Sequence, residues 1–208
     1  MGNTCINAVL LLGPTGSGKT PLGDMCEDRG LWGRRCAHFD FGASLRRIAE
    51  TGFKPSYLTD RDMEVVFRVL RSGALLENEN FLIAKNILLS FAEEKSLETD
   101  DLLLLNGLPR HAGQAADVDE AAAVKAVVYL RCSQEVVGSR IQLNTGGDRA
   151  GRIDDSPGEI KRKLSLFKER TVPLLDHYRR KNAVIEVYDV SVDTTPAELY
   201  EWLNGKKY

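Results

Sequence analysis

One glycine-rich segment constrains this chain more than any other: residues 13–20 read Gly-Pro-Thr-Gly-Ser-Gly-Lys-Thr and match the pattern G-x-x-x-x-G-K-[ST] in full. The segment directly follows an apolar run, residues 6–12, that has the length of one strand. Glycines permit turns in which successive backbone N–H groups point inward, and a helix that follows adds its positive N-terminal end. We therefore expect a strand, a phosphate-binding loop and a helix, with a nucleoside triphosphate as the ligand.

The lysine and the threonine of this loop have separate expected roles. Lys19 is expected to reach the β and γ phosphates, and the hydroxyl of Thr20 is expected to ligate Mg²⁺. A glycine-rich turn without a ligand is the alternative, and the strand that precedes the motif speaks against it. The loop by itself does not identify the group that accepts a phosphate. The predicted ATP-binding residues are Gly13, Thr15, Gly16, Ser17, Gly18, Lys19, Thr20 and Pro21.

Five short apolar runs predict the strands of a sheet. Runs that are apolar throughout are typical of parallel strands covered on both faces. Between them, apolar residues recur at helical spacing, for example from Met63 to Leu70. The alternation predicts an α/β fold with three layers, α/β/α, around a five-stranded parallel sheet. The runs cover residues 6–12, 36–39, 102–105, 126–130 and 184–187.

Two segments exceed what a simple alternation of strands and helices needs. Residues 44–76 are too long and too helical for one crossover, so we expect a helical lobe. Residues 142–155 contain three glycines among polar residues, which predicts a mobile surface loop. Ser156 and Thr195 each precede a proline and stand three residues before a glutamate, which predicts the starts of two helices. No linker divides the chain, so residues 1–208 are predicted to form one domain.

The composition excludes several other classes of protein. Of the 208 residues, 43% are hydrophobic and 28% are charged, which excludes a disordered tail, a collagen-like fibre and a disulfide-stapled miniprotein. No apolar run approaches the roughly 20 residues of a transmembrane helix, so no membrane partner is expected. The formal charge of −2 gives no sign of a nucleic-acid partner. The four cysteines lie at unrelated spacings, so we expect buried reduced thiols and a cytoplasmic location.

Motifs beyond the phosphate loop resemble those of the adenylate kinase family of nucleoside monophosphate kinases. Asn-Gly-Leu-Pro-Arg at residues 106–110 resembles the family's D-G-F-P-R, and Gly-Arg-Ile-Asp-Asp at residues 151–155 resembles the G-R-x-D-D that ends its lid. The resemblance covers nearly the whole chain in the family's order, with a lid of the short kind. The matching segments are residues 38–46, residues 73–76 with Glu79, residues 106–110 with Gln114, Arg140 with residues 151–155, and residues 160–178.

The resemblance implies transfer of the γ-phosphoryl group of ATP to AMP, with Mg²⁺, by a monomer whose partners are small-molecule nucleotides. It also implies a monophosphate-binding lobe at residues 43–76 and a lid at residues 142–155. Two nucleotides bring several negative charges into one cleft, and planar guanidinium groups match phosphate oxygens. The implied catalytic residues are Lys19, Arg110, Arg140, Arg149 and Arg152. The implied monophosphate-binding residues are Phe41, Gly42, Arg46, Ala74, Leu75, Leu76, Gly107, Leu108, Arg110, Gln114, Arg152 and Lys163.

Two departures from the family's pattern concern the metal. Asn106 and Ala43 stand where the family has Asp. A separate departure, Pro21, removes one backbone N–H from the phosphate loop. We hypothesise that Asp40, at the end of the second strand, and Thr20 hold Mg²⁺ instead. The alternative is that Asp40 only caps the following helix.

Other departures keep alternative functions open. Phe41 replaces a hydroxyl residue near the monophosphate base, and Lys163 replaces an arginine, so CMP, UMP or a deoxynucleotide stays open as the acceptor. Because Ala43 and Asn106 replace two Asp residues of the family, a nucleotide-binding protein that has lost turnover stays open as an alternative function. Enzymes that transfer an isopentenyl group to tRNA have the same phosphate-loop sequence. This chain is short for such an enzyme, however, and it carries no basic net charge to hold RNA.

Overall fold

Five parallel strands form one sheet with the phosphate loop at its carboxyl edge. The structure is a computed structural model that describes residues 6–52, 54–148 and 156–206. The sheet order is β2-β3-β1-β4-β5, so the predicted five-stranded parallel sheet is confirmed. The central strands are buried on both faces, which explains why they read as unbroken apolar runs. The strands are β1 (Ile6–Leu12), β2 (Cys36–Asp40), β3 (Leu102–Asn106), β4 (Ala122–Arg131) and β5 (Val184–Asp189).

Helices connect these strands, and the two predicted helix starts are confirmed. The side chains of Ser156 and Thr195 accept hydrogen bonds from the backbone N–H groups of Glu159 and Glu198, and a proline is the first residue of each helix. The helices are α1 (Lys19–Arg29), α2 (Phe41–Thr51), α3 (Asp60–Ser72), α4 (Phe81–Glu94), α5 (Ala112–Ala121), α6 (Gln134–Leu143), α7 (Pro157–Leu166), α8 (Leu174–Arg180) and α9 (Pro196–Asn204).

The helices cover both faces of the sheet, which makes three layers as predicted. Successive side chains of a strand point to opposite faces, so each strand feeds two cores. On one face, Phe39 and Leu105 pack with apolar residues of α2, α3, α4, α5 and α8. On the other face, Leu104 packs in a second core with Leu22 of α1 and Leu199 of α9. The phosphate loop lies where β1 meets α1, at the edge of the second core.

The helical segment predicted for residues 44–76 contains most of α2 and all of α3. The α3 helix ends at Gly73, whose φ of 57° is the left-handed conformation that favours glycine. The predicted loop at residues 142–155 begins where α6 ends, and residues 149–155 lie outside the described residues. The binding roles of this lobe and this lid stay predictions.

The long helix predicted for residues 160–178 is interrupted. Between α7 and α8 the backbone forms a π-helical segment, Phe167–Thr171, and Pro173 directly precedes α8. Proline lacks a backbone N–H, so regular helical hydrogen bonding cannot continue through that position. Phe167 and Thr171 both line the cleft described below, and π segments occur frequently at functional sites.

Three of the four cysteines lie in the described segments. Cys26 and Cys36 are buried, Cys132 is partly buried, and these three cysteines of the described segments form no disulfide. Burial raises the pKa of both the Cys26 and the Cys36 thiol to about 12, so both stay protonated at neutral pH. Within the described segments, none of the helices has the length and apolar character that crossing a bilayer requires.

Candidate active site

A cleft opens at the carboxyl edge of β1, β2 and β3, above the phosphate loop. Parallel strands bring their carboxyl ends to the same edge of a sheet, which is where ligands bind in open α/β folds. The cleft brings together Lys19, Arg46, Arg110 and Lys163, four of the cationic residues predicted from the sequence. Residues from four parts of the chain line it: Gly13, Thr15, Gly16, Gly18, Lys19 and Thr20; Asp40, Gly42 and Arg46; Asn106, Gly107, Pro109 and Arg110; and Asp148, Lys163, Phe167 and Thr171.

The phosphate loop has the backbone that its glycines predict. Gly16 and Gly18 have φ values of 75° and 96°, which side-chain-bearing residues rarely adopt. A Cβ on Gly16 would also lie 2.9 Å from Cγ1 of Ile141. The ammonium group of Lys19 donates to the carbonyl oxygens of Gly13 at 2.7 Å and Pro14 at 2.8 Å, so it curls back over the loop. The loop is therefore a preformed concave backbone with a positive charge at its rim.

Two residues of the predicted ATP-binding set lie away from the cleft. Ser17 is fully buried beneath the loop. Pro21 lies in the first turn of α1, where backbone N–H groups have no partner within the helix, so the proline removes no helical hydrogen bond. A Cβ on Gly146 would lie 3.3 Å from Cγ of Pro21, so the segment after α6 passes close to this proline.

Arg140 was predicted to be a catalytic residue, but it does not line the cleft. Its side chain is almost fully buried under the phosphate loop, with only 2% of its surface exposed. Its Nε donates to the carbonyl oxygen of Gly16 at 3.0 Å, and its Nη1 donates to the carbonyl oxygens of Ser191, Val192 and Thr194 at 2.8–3.1 Å. Because these bonds tie the phosphate loop to the segment before α9, Arg140 supports the loop from below.

Arg110 reaches the cleft from a rigidly held backbone. Its N–H donates to Oε1 of Gln114 at 2.9 Å, and its carbonyl oxygen accepts from the hydroxyl of Thr171 at 2.7 Å. Both backbone polar groups of Arg110 are therefore fixed by side chains from different helical segments. The guanidinium group faces the same space as Lys19 of the phosphate loop.

Several residues predicted to contact the monophosphate support the cleft without lining it. Gln114 is fully buried, and its Nε2 donates to the carbonyl oxygen of Leu76 at 2.8 Å, so both ends of its amide contact backbone rather than the cleft. Tertiary packing decides this, because Arg110 is four residues from Gln114 but Leu76 is 38 residues away along the chain. Phe41, Leu75, Leu76 and Leu108 are buried, and Ala74 is exposed outside the cleft.

A hydrogen-bonded cluster joins Asp40 to the phosphate loop. Thr20 donates its hydroxyl to Oδ2 of Asp40 at 2.7 Å, and Nδ2 of Asn106 donates to the same oxygen at 3.0 Å. The other carboxylate oxygen, Oδ1, accepts from the backbone N–H of Ala43 at 2.8 Å and so caps α2. Asp40 therefore does cap α2, and its other carboxylate oxygen, Oδ2, is still directed towards the cleft and Thr20.

Opposing effects act on the pKa of Asp40. Burial of the carboxyl group raises its pKa, but the hydrogen bonds from Ala43 and Thr20 and the electrostatic effects of the neighbouring His38 and Arg46 outweigh burial and lower the pKa below its usual value. The group is thus ionised at neutral pH. An ionised carboxylate beside a hydroxyl is the oxygen donor set that Mg²⁺ prefers.

The sequence argument missed the partners of this cluster. His38 is not among the site residues predicted from the sequence, but its ring is buried and lies between Asp24 and Asn106. The alternation of β2 carried a signal, because His38 lies two residues before Asp40 and so shares its face of the sheet. No comparable signal marks Thr171, whose role depends on the backbone of Arg110.

Two predicted catalytic arginines cannot be placed. Arg149 and Arg152, with the rest of the segment 149–155, lie outside the described residues. Their expected contacts with the donor and with the transferring group stay predictions.

The strand order, the phosphate loop after β1 and the basic cleft together define an α/β protein of the P-loop kinase fold. No family model matches the chain. Curated proteins are nevertheless similar over most of its length. An adenylate kinase of Prochlorococcus marinus is 27% identical over 181 residues, which cover 84% of this chain and 86% of that protein.

Two further relatives extend the similarity. An adenylate kinase of Stenotrophomonas maltophilia is 27% identical over 206 residues, covering 95% of this chain and 99% of the relative. UMP-CMP kinase 3 of Oryza sativa subsp. japonica is 23% identical over 194 residues, covering 90% of this chain and 80% of the relative. Over most of its length the chain is therefore similar to adenylate kinases and to a UMP-CMP kinase, all of them nucleoside monophosphate kinases.

Proposed function

We propose that the protein transfers the γ-phosphoryl group of ATP to a nucleoside monophosphate, with AMP as the preferred acceptor and two molecules of ADP as the product. The observation that carries this proposal is the convergence of Lys19, Arg46 and Arg110 on one cleft. These cations come from three separate segments, and a site for a single triphosphate does not require the two arginines of β2–α2 and β3–α5. The relatives named adenylate kinase support AMP as the acceptor.

The chemistry asks the protein for alignment and for stabilisation of charge. In the transfer, an oxygen of the acceptor phosphate bonds to the γ phosphorus while the bond to the β–γ bridging oxygen breaks. Little covalent work falls to side chains, so fixed cations and backbone N–H groups do most of the catalysis. We assign Lys19 and the loop N–H groups to the donor phosphates, and Arg46 and Arg110 to the acceptor phosphate.

The cleft also fits Mg²⁺. Its oxygen donors are Oδ2 of Asp40 and the hydroxyl of Thr20, which lie 2.7 Å apart. In phosphate-transfer sites Mg²⁺ is held by one or two protein oxygens together with phosphates and water, and its charge neutralises phosphate oxygens.

A coupled assay of ADP formation over several acceptors tests the proposed function. ATP with AMP is expected to give the highest kcat/KM among AMP, CMP, UMP and dAMP. A pyrimidine acceptor with a kcat/KM far above that of AMP would instead indicate the activity for which the UMP-CMP kinase relative is named. Calorimetric binding of ATP, with no ADP formed from any acceptor, would contradict turnover altogether.

The proposed metal role of Asp40 gives a separate prediction. An Asp40→Asn variant keeps an oxygen to cap α2 but loses the charge, so the Mg²⁺ concentration for half-maximal activity is expected to rise by about a hundredfold. The measurement is ADP formation against Mg²⁺ at saturating nucleotides. Asp60→Asn, at an exposed helix start, is the matched control. An unchanged Mg²⁺ requirement in Asp40→Asn would contradict the assignment.

A further inference from the structure

A buried line of polar groups runs beneath the proposed cation site. The side chain of His38 is only 2% exposed, and its Nδ1 lies 2.8 Å from Oδ1 of Asp24 on α1. Its Nε2 lies 3.3 Å from Nδ2 of Asn106 on β3. Asn106 in turn donates to Asp40 and, at 3.1 Å, to Thr20. A buried polar side chain is costly unless it is hydrogen-bonded, and this line satisfies each member.

The chemistry of the partners fixes the direction of every bond. An ionised Asp40 accepts only, so the Asn106 group 3.0 Å from it must be the amide N–H₂ and not the amide oxygen. The same N–H₂ faces Nε2 of His38, which must therefore accept. The proton of the ring then lies on Nδ1 and is donated to Asp24.

Steric contact holds the ring in this orientation. A Cβ on Gly23 of α1 would lie 2.3 Å from Nε2 of His38, so the imidazole occupies space that any other residue at position 23 would fill. The α1 helix also carries Thr20, while β2 carries Asp40 and β3 carries Asn106. The ring of His38, itself on β2, therefore contacts both of the other elements that supply polar atoms of the site.

We propose, resting on the proposed function, that His38 and Asp24 are positioning residues that hold the Asn106 amide towards Asp40 and so hold Oδ2 of Asp40 beside the Thr20 hydroxyl. This accounts for the asparagine at position 106. A carboxylate there would lie about 3 Å from the Asp40 carboxylate and would repel it. In this chain Asp40 on β2 carries the negative charge, and Asn106 on β3 supplies the hydrogen-bond donor that orients the carboxylate.

The proposal is tested by removing each partner and measuring Mg²⁺ dependence. His38→Leu and Asp24→Ala are expected to raise the Mg²⁺ concentration for half-maximal activity, by about tenfold for His38→Leu and less for Asp24→Ala, with kcat at saturating Mg²⁺ within about threefold of wild type. Asp24→Asn retains an acceptor oxygen for Nδ1–H, and His38→Gln retains one for the Asn106 amide. Both conservative variants are therefore expected to stay close to wild type.

Binding supplies a readout that does not depend on turnover. Calorimetry is expected to show that His38→Leu and Asp24→Ala weaken ATP binding with Mg²⁺ present but leave ATP binding in EDTA unchanged. His177→Leu is the matched control, because it breaks another histidine–aspartate pair, His177 with Asp119, outside the cleft. The side chain of Asp24 is 65% exposed, so Asp24→Ala decides the question even if His38→Leu does not fold.

The outcomes separate this proposal from the proposed function. If the variants lose stability or kcat while Mg²⁺ dependence and Mg²⁺-dependent ATP binding stay at wild-type values, the pair is only structural and the proposal fails. If the wild-type protein forms no ADP with any acceptor, the proposed function fails, and the calorimetric comparison of the variants still decides the positioning role.

Discussion

A Lys19→Met variant is expected to lose about a thousandfold in kcat while keeping its fold. The ammonium group of Lys19 lies at the rim of the phosphate loop, 2.7 Å from the carbonyl oxygen of Gly13 and 2.8 Å from that of Pro14. Fixed cations stabilise the charge on a transferring phosphoryl group, and the loss of one such group removes several kcal/mol of that stabilisation, about 3–4 in comparable sites. Methionine keeps the apolar stem of the side chain and removes the charge together with the two hydrogen bonds to the loop carbonyl groups.

The measurements are steady-state ADP formation, the KM for ATP and the melting temperature. The KM for ATP is expected to change less than kcat, because backbone N–H groups of the loop still bind the phosphates. Lys95→Met, which removes a lysine paired with Glu27 outside the cleft, is expected to leave kcat unchanged. A Lys19→Met protein that melts as the wild type does and retains more than about a tenth of kcat would contradict the role of this loop in transfer.

The fold was predictable because most of the strands are apolar runs that lie in a buried layer; β5, at the edge of the sheet, is the exception, with Val184 and Val187 each 42% exposed. The errors lie at strand ends. The fourth run predicted a start at residue 126, whereas β4 begins at Ala122, where pairing with β1 begins opposite Ile6. Lys125 interrupts the apolar pattern there and is exposed, and it lies at a shift in register, because Val124 pairs with Ala8 and Ala126 with Val9. The apolar run therefore starts after Lys125, although β4 pairs with β1 on both sides of it. Hydrogen bonding between strands sets such boundaries, and a single sequence does not show it.

The positions of the site residues were predictable where a motif fixes the backbone. They were less predictable where contacts of the side chains determine whether a residue lines the cleft. The phosphate loop and the segment at residues 106–110 placed Lys19 and Arg110 in one cleft. Gln114 and Arg140 are buried instead, because each meets carbonyl groups that come from far along the chain: 38 residues away for Leu76, and about 50 for the segment before α9. Such contacts depend on tertiary packing, and no local pattern in the sequence reports them.

An Arg110→Lys variant is expected to lose about a hundredfold in kcat/KM for the acceptor and little in KM for ATP. The backbone of Arg110 is held by Gln114 at 2.9 Å and by Thr171 at 2.7 Å, so the side chain starts from a fixed point. Lysine keeps the positive charge, but it replaces a planar pair of donors with a single point charge. The size of the loss therefore measures how far the acceptor phosphate depends on bidentate geometry and not on charge alone.

Three further variants separate the effect of geometry from that of charge. Thr171→Val removes the donor to the Arg110 carbonyl and is expected to lower kcat/KM for the acceptor by about tenfold, because the charge remains while its support loosens. Arg179→Lys, at an exposed pair with Asp176, is the control and should leave both substrates unaffected. If Arg110→Lys retained wild-type kcat/KM while Arg110→Ala lost it, charge alone would suffice at this position. If kcat/KM for ATP and kcat/KM for the acceptor fell equally in Arg110→Lys, the residue would also act on the donor. The assignment of the acceptor phosphate to this side of the cleft would then be wrong.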